Sequence, residues 1–409
     1  MDIRIIPGKL SGRVTVPPSK SVAHRMIIAA ALANGTSTIS NLSPSVDILA
    51  TMDCMRALGA EINFEVNTAV IKGITKIPDK AVLDCHESGS TMRFLIPVAC
   101  ALGVNAEFVG SGKLPQRPIT PFTEEFPKHG ISFDFSEAES GASLPCSVSG
   151  KLSAGQFEID GGISSQFITG LMLALPLLAE DSEIVLTSKL NSKPYVDITI
   201  GVLRNFGVEI AKTASGYLIK GNQRLKPFSG KVEGDYSQAA FFRVANSLGS
   251  NLDILGLSEN SLQGDRVIMK ICDRFDKDRE PFEIDGSDIP DLVPILTVLA
   301  CFCNGTSRIT NVARLRFKES DRLSIPAECL NAIGGNVIVH KDSLEIKGVK
   351  SLRGGEISGS NDHRIPMSLA VAATMCEQPL VIRGTECVSK SFPDFFDVYG
   401  SLGGEVEEI

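Results

Sequence analysis

The chain has 409 residues, 43% of them hydrophobic and 22% charged, with a formal net charge of −8 at pH 7. These values suit a soluble globular protein of two or more domains and argue against a general nucleic-acid binder, so any basic site must be built locally by the fold. The longest apolar stretches, 171–179 and 294–303, are too short to span a bilayer, and the opening MDIRII reads as a strand rather than an export or transit signal. The ten cysteines lack regular spacing, which suggests reduced thiols in a cytoplasm, with Cys301 and Cys303 as core packing.

Along the chain one phrase recurs six times: a short extended run, a small polar turn, then an immediate helix. The copies are GRVTVPPSKSVAHR, AVLDCHESGSTMRF, GQFEIDGGISSQFI, GKVEGDYSQAAFF, PFEIDGSDIPDLV and GGEISGSNDHRIPM. Their turn residues Ser21, Ser90, Ser165, Ser237, Pro290 and Arg364 lie 69, 75, 72, 53 and 74 apart. That period is too long for a solenoid repeat and fits a small βαβ-type unit. A second phrase follows in most units, an amphipathic helix ending in glycine and then a strand, as in MRALGAEINF, PKHGISF, LRNFGVEI, LNAIGGNVIV and YGSLGGEVEE. Gly59, Gly130, Gly207, Gly334 and Gly403 are expected to close these helices in the left-handed conformation, while the fourth unit's helix, around 271–279, has no such glycine.

Each unit thus reads strand, turn, helix, strand, turn, helix, strand, which indicates an α/β architecture. The first helix of each unit is apolar on nearly every side (MIIAAALA, FLIPVACAL, FITGLMLALPLLA, AFFRVANSLG, LVPILTVLACF, MSLAVAATMC), so helices rather than strands are expected to form the interior. Pro17–Pro18 and the Pro/Gly/Ser stretch 226–231 read as the two crossings between halves. The expected domains are 1–17 plus 231–409, with the N-terminal strand rejoining the second half, and 18–230; one continuous six-unit array is the alternative.

The turns carry the chemistry, because a helix start attracts anions. In the first copy Lys20 can hold a phosphate as a point charge and Arg25 can grip a carboxylate or phosphate in two parallel bonds, unless they are a basic helix cap. In the second, Gly89 stands where backbone can approach a ligand, Arg93 follows one helical turn on, and Arg117 precedes a rigid proline. In the third, Ser164, Ser165 and Gln166 offer hydroxyls, an amide and backbone N–H groups that suit a phosphate cradle or a plain N-cap. In the string RLRFKESDR, Lys318 and Arg322 are spaced to share a helix face with Glu319 pointing elsewhere. Asp291 in an apolar helix start needs a ligand or cation, or else serves the helix dipole. The sixth copy carries Asp362, His363 and Arg364, and Lys390 lies in the tail. The stretch GSGK at 110–113 lacks the flanking residues of a P-loop, no dinucleotide fingerprint follows a strand, and the five histidines lack metal-ligand spacing, with His24, His86 and His129 read as caps or surface residues.

Taken in order, PPSKSVAHR, SGSTMRFL, RPI, SSQFITGLMLALP, SKPYVDIT, VEGDYSQAAFF, IPDLVPIL, RFKESDRL, NDHRIPMSLA and KSFPDFF resemble the blocks of the 5-enolpyruvylshikimate-3-phosphate synthase family, from Pro7 to about Tyr399. The resemblance implies a two-domain inside-out α/β barrel, each domain of three βαβαββ repeats around buried helices, with the active site in the cleft between domains. It implies transfer of the enolpyruvyl group of phosphoenolpyruvate to the 5-hydroxyl of shikimate-3-phosphate with release of phosphate, without metal or organic cofactor. By that resemblance Lys20, Ser21, Arg25, Ser164, Ser165, Gln166, Ser192, Tyr195, Asp291 and Lys318 hold shikimate-3-phosphate. Lys20, Gly89, Arg93, Arg117, Gln166, Arg322, His363, Arg364 and Lys390 hold phosphoenolpyruvate. Asp291, Glu319 and Lys20 carry the protons. The partners implied are these two small molecules, with no nucleic acid and no membrane, and the chain is expected to be a cytoplasmic monomer whose halves open and close. Glu87, Phe94, Arg314 and the pair Ile365–Pro366 depart from the family pattern and bear on pocket shape; sensitivity to glyphosate, a family inhibitor, is an expectation. The sister enzyme acting on a UDP-linked amino sugar carries a loop cysteine that 110–119 lacks.

Overall fold

The computed structural model describes all residues from Met1 to Ile409, and the chain divides into two compact units: Met1–Ser19 with Glu233–Ile409, and Lys20–Val232. The second unit holds helices α1 (Lys20–Leu32), α2 (Val46–Ala57), α3 (Gly89–Leu102), α4 (Thr120–Glu125), α5 (Ser165–Ala174) and α6 (Lys193–Asn205). The first holds α7 (Tyr236–Ser247), α8 (Val267–Asp278), α9 (Val293–Ala300), α10 (Ser324–Ala332), α11 (Arg364–Ala373) and α12 (Phe395–Ser401). No helix is long and apolar enough to cross a membrane.

The sheets show the repeat. Strands Lys80–Asp84 and Asn105–Val109 run parallel; Cys146–Gly150 joins the latter antiparallel, and Ile131–Asp134 pairs antiparallel at the far edge. The sheets starting at Gln156 and Glu283 have the same order and the same directions. Two copies borrow a strand from a distant part of the chain. Gly230–Lys231 supplies the first strand of the sheet holding Thr36–Ser40, and Ile3–Ile6 lies between Leu380–Arg383 and Glu405–Glu408. Ser11–Thr15 pairs with Asn251–Leu255, so the N-terminal segment belongs to the first unit by its hydrogen bonds.

Helices fill the interior of each unit, as the sequence predicts. Every residue of α9 and α11 is buried, and so is nearly all of α3, whereas strands such as Glu61–Glu65 and Thr306–Thr310 alternate between an exposed and a covered face. An all-apolar helix loses least when it is surrounded by other elements, and an alternating strand can cover it with one face. The two cores are separate: Phe94, Phe122, Phe126 and Phe167 lie in one, and Phe241, Phe242, Phe275 and Phe395 in the other. The five expected helix-closing glycines all have positive φ, from +80° at Gly207 to +106° at Gly59. In the fourth unit, α8 also ends in the left-handed region, but on Arg279 at φ +56°, a conformation that costs a non-glycine residue about 1 kcal/mol.

Candidate active site

In the second unit the turns of the first three repeats gather polar side chains at helix starts. α1 begins at Lys20, whose Nζ lies 2.8 Å from Asp47 Oδ2 in the first turn of α2. Ser88 caps α3 by accepting from the Thr91 N–H, and Ser164 caps α5 by accepting from the Gln166 N–H at 3.3 Å. Capping and anion binding use the same feature, backbone N–H groups without helical partners, so the two sequence readings of these serines are compatible. Arg93 donates from Nη1 to Gln166 Oε1 at 2.7 Å and from Nη2 to the Pro118 carbonyl at 2.9 Å, while its guanidinium lies over the Phe167 ring. Gln166 in turn donates from Nε2 to Ser90 Oγ at 3.0 Å. Gly89 stands against Arg117, and a β-carbon added there would collide with the Nη1 tip of that guanidinium. The structure therefore brings Gly89, Arg93, Arg117 and Gln166 together, from α3, α5 and the loop after Leu114–Gln116.

Arg25 behaves differently from the sequence expectation of a ligand-gripping fork. It is buried and donates from Nε to Thr199 Oγ1, from Nη1 to the Ser21 carbonyl and from Nη2 to Thr169 Oγ1 and the Tyr195 carbonyl. It ties α1 to α5 and α6 and fixes the backbone of two other predicted site residues, Ser21 and Tyr195. Ser192, at φ +56°, immediately precedes α6, and its carbonyl accepts from the Tyr195 N–H.

In the first unit the sites of the fifth and sixth repeats meet around one arginine. Arg322 is buried, and donates from Nε to Asp362 Oδ2 at 2.7 Å, from Nη2 to Asp362 Oδ1 at 3.1 Å and from Nη1 to Asp291 Oδ1 at 2.8 Å. Arg364 Nη2 donates to the other oxygen of Asp291 at 2.9 Å. Lys390 Nζ donates to the Asn361 carbonyl at 2.9 Å, beside buried Asp362 and His363. The expected helical spacing of Lys318 and Arg322 is a correction: residues 313–317 form a 3-10 turn, Lys318 is extended, and α10 starts only at Ser324. Glu319 does not point away from Arg322 either, since its Oε2 lies 2.8 Å from Arg322 Nη2. Asp321 explains the break, because its Oδ1 accepts from the N–H groups of Leu323 and Ser324 and so starts the helix later.

The electrostatics follow from this crowding. Burial works against the ionised form of Asp291, but Arg364, then Lys318 and Arg322, outweigh it and hold the carboxyl far below the usual range. Burial likewise opposes the charge of Arg322, and Asp362, Glu319 and Asp291 more than restore it. Lys318 is pushed down to about 8, by burial first, with Arg322 and Arg314 adding repulsion and Asp291 and Glu319 opposing it. Three carboxylates escaped the sequence reading as functional residues: Asp47, beside Lys20 in the second unit, and Asp362 and Asp265 in the first. Asp265 is buried, accepts from the Ser237 hydroxyl, and is raised to about 7 by burial and then by the charge of Asp291. Asp362 had a signal, standing in NDHR at a repeat turn. Asp47 and Asp265 stand outside the turn phrase.

The chain matches the family model of EPSP synthase (3-phosphoshikimate 1-carboxyvinyltransferase) over residues 5–399. It is 44% identical to a 3-phosphoshikimate 1-carboxyvinyltransferase of Clostridium botulinum, covering 99% of this chain and 98% of that one. It is 42% identical to the protein of that name from Clostridioides difficile, again over 99% and 98%. Among solved structures, EPSP synthase from Acinetobacter baumannii superposes with a TM-score of 0.82 at 26% identity over the whole of both chains. The enolpyruvyl transferase NikO from Streptomyces tendae, with a TM-score of 0.79 at 16% identity over 99% of this chain and 98% of that one, shares the fold. The chain belongs to the EPSP synthase family, two-domain inside-out α/β transferases that move the enolpyruvyl group of phosphoenolpyruvate to shikimate-3-phosphate in the shikimate pathway.

Proposed function

We propose that the two groups of side chains divide the work of one addition–elimination reaction. Lys20, Ser21, Ser164, Ser165, Gln166, Ser192, Tyr195, Asp291 and Lys318 hold shikimate-3-phosphate, with Arg25 acting on it through the backbone of Ser21 and Tyr195. Lys20, Gly89, Arg93, Arg117, Gln166, Arg322, His363, Arg364 and Lys390 hold phosphoenolpyruvate. Each substrate carries a carboxylate and a phosphate, and bringing such anions into contact takes several cations fixed in place.

The reaction needs a proton removed from the 5-hydroxyl and one delivered to the methylene carbon, and elimination then reverses the carbon step and expels phosphate. Asp291 is the base for the hydroxyl, and Glu319 and Lys20 carry protons to and from carbon. The observation that supports this most is the double engagement of Asp291 by Arg322 and Arg364. A carboxylate so strongly held is ionised but weakly basic. An anionic substrate that takes over either guanidinium weakens that hold and raises the basicity of Asp291 when the hydroxyl is present. The base is thereby switched on by its own substrate.

The test is phosphate release measured with phosphoenolpyruvate and each acceptor in turn. Release that requires shikimate-3-phosphate, and that Asp291→Asn lowers by about 10²-fold or more in kcat, is expected. Release supported equally by a UDP-linked amino sugar, or an Asp291→Asn enzyme of native kcat, would overturn the assignment. The working unit in this reading is a cytoplasmic monomer; light scattering should give a mass near 43.7 kDa, and twice that would refute it.

A further inference from the structure

His24 is a buried titratable group that the reaction above leaves unused. It lies on α1 one turn after Lys20 and is 1% exposed. Its Nδ1 is 2.7 Å from Thr51 Oγ1 on α2, and Thr51 Oγ1 is 2.7 Å from Thr91 Oγ1 on α3. The Thr91 hydroxyl donates to Ser88 Oγ at 2.7 Å, and the same Ser88 oxygen accepts from the Thr91 N–H as the N-cap of α3. Four side chains from α1, the middle of α2 and the start of α3 thus form one line of hydrogen bonds, and all four are fully buried. The line ends one residue before Gly89.

Burial and the available acceptors favour one order of protons along this line. Nε2 of His24 is buried and no protein atom pairs with it, so a proton there would be an unmet donor, more costly than an unmet lone pair. The proton therefore sits on Nδ1 and is donated to Thr51; the single Thr51 proton has Thr91 Oγ1 at 2.7 Å and the Asp47 carbonyl at 3.2 Å as acceptors and goes to the nearer, and Thr91 donates to Ser88. A second proton on the ring is disfavoured by burial, then by Lys20 and Arg25. Those two cations face the ring from its own helix; α2 presents Thr51, and α3 presents Thr91 and the edge-on Phe94 ring at 6.3 Å. Asp47 is engaged with Lys20 at 2.8 Å.

We propose that His24 is a positioning residue for phosphoenolpyruvate: as a neutral imidazole donating from Nδ1, it locks the start of α1, with Lys20, to the start of α3, with Gly89 and Arg93. The inference rests on the assignment of Lys20, Gly89 and Arg93 to that substrate. Each hydroxyl in the line has one proton to give, so removing the first donor leaves the next oxygens free to turn and the α3 cap free to shift. A displacement of that size at an anion site weakens binding without touching the reacting atoms.

Four variants and one spectrum test it. His24→Leu and Thr51→Val each break the line, and His24→Asn restores a donor at the position of Nδ1. Both breaking variants should raise KM for phosphoenolpyruvate roughly tenfold and change KM for shikimate-3-phosphate less than about twofold, and His24→Asn should return to within about threefold of native. A change that only destabilised the unit would lower the active fraction and apparent kcat and leave both KM values in place. Nitrogen-15 spectra of the histidine-labelled resting enzyme should show Nδ1 protonated and Nε2 bare, unchanged from pH 7 to pH 5. Native KM values in Thr51→Val overturn the proposal even if His24→Leu fails to fold, and so does an Nε2-protonated or doubly protonated ring. Arg93→Ala separates the two claims: if it leaves KM for phosphoenolpyruvate unchanged, the substrate assignment fails, while the spectrum still decides the hydrogen-bond line.

Discussion

A single glycine and a single lysine show how much of the site rests on individual atoms. Gly89 has room for no side chain because the Arg117 guanidinium occupies the space where a β-carbon would go. The obstacle is the far end of a flexible side chain, so Gly89→Ala should fold with a stability loss of no more than about 1 kcal/mol. Arg117 must move, however, and KM for phosphoenolpyruvate should rise several-fold while KM for shikimate-3-phosphate changes little; unchanged kinetics would show that Arg117 is not a ligand. Lys318 makes a prediction about pH. Its ammonium is the form that can hold an anion, and its value of about 8 in the unliganded protein lies within reach of ordinary buffers. As pH rises through 8 the cation is lost, so kcat/KM for shikimate-3-phosphate should fall along a limb near that value. Lys318→Arg should move the limb beyond the measurable range, whatever its effect on the maximum. A limb that stays in place in the variant would assign it to another group.

Between elements, the contact of α3 with α5 sets the position of Arg93. Pro97 lies within α3 and has no N–H to offer the carbonyl four residues earlier, that of Arg93. Gly170 of α5 stands against that same carbonyl, and a β-carbon there would strike it and come within 3.0 Å of Pro97 Cγ. Backbone cannot swing aside as a side-chain tip does. Gly170→Ala should therefore cost about 1–3 kcal/mol from overpacking, only partly offset by the better helix propensity of alanine. Because the strained atom belongs to Arg93, the denaturant midpoint and KM for phosphoenolpyruvate should both worsen. A stabilised variant would mean that α3 and α5 can separate freely. The sequence placed both glycine and proline in apolar helices without any sign that they face each other.

For the molecule as a whole, a net charge of −8 coexists with local clusters of guanidinium and carboxylate, and the latter set how stability responds to pH. Asp265 is the clearest case. Its pKa is raised from 3.8 to about 7 in the folded chain, by burial and then by Asp291. A group raised in this way contributes its full stability below its unfolded value and loses it as pH climbs through the folded one. The window is therefore pH 4 to 7, with stability falling as pH increases. Asp265→Asn keeps an acceptor for the Ser237 hydroxyl and cannot ionise. Its stability relative to the native chain should be near zero at pH 4 and grow to on the order of 1–3 kcal/mol in its favour by pH 8, read from denaturant melts at both pH values. A constant difference would show that Asp265 does not ionise in this range.

What the sequence determined by itself is whatever short-range pattern encodes. The six strand–turn–helix phrases, the apolar helices at the interior and the glycine ends at Gly59, Gly130, Gly207, Gly334 and Gly403 depend on local spacing and backbone sterics, and all of them are present in the folded chain. The candidate cations were legible for the same reason, since each stands at or near a repeat turn. Tertiary structure alone decided the rest. Nothing within six residues of Lys20 announces Asp47, and nothing near Arg25 announces Thr169 or Thr199, because these partners arrive on other helices 27, 144 and 174 residues away. The helix expected through Lys318 and Arg322 gave way to a turn, because Asp321 starts α10 later while Asp362 of the sixth repeat and Asp291, 31 residues back in the fifth, engage Arg322. Local pattern chooses the elements; the charge state and reach of each side chain are set by neighbours that only folding brings close.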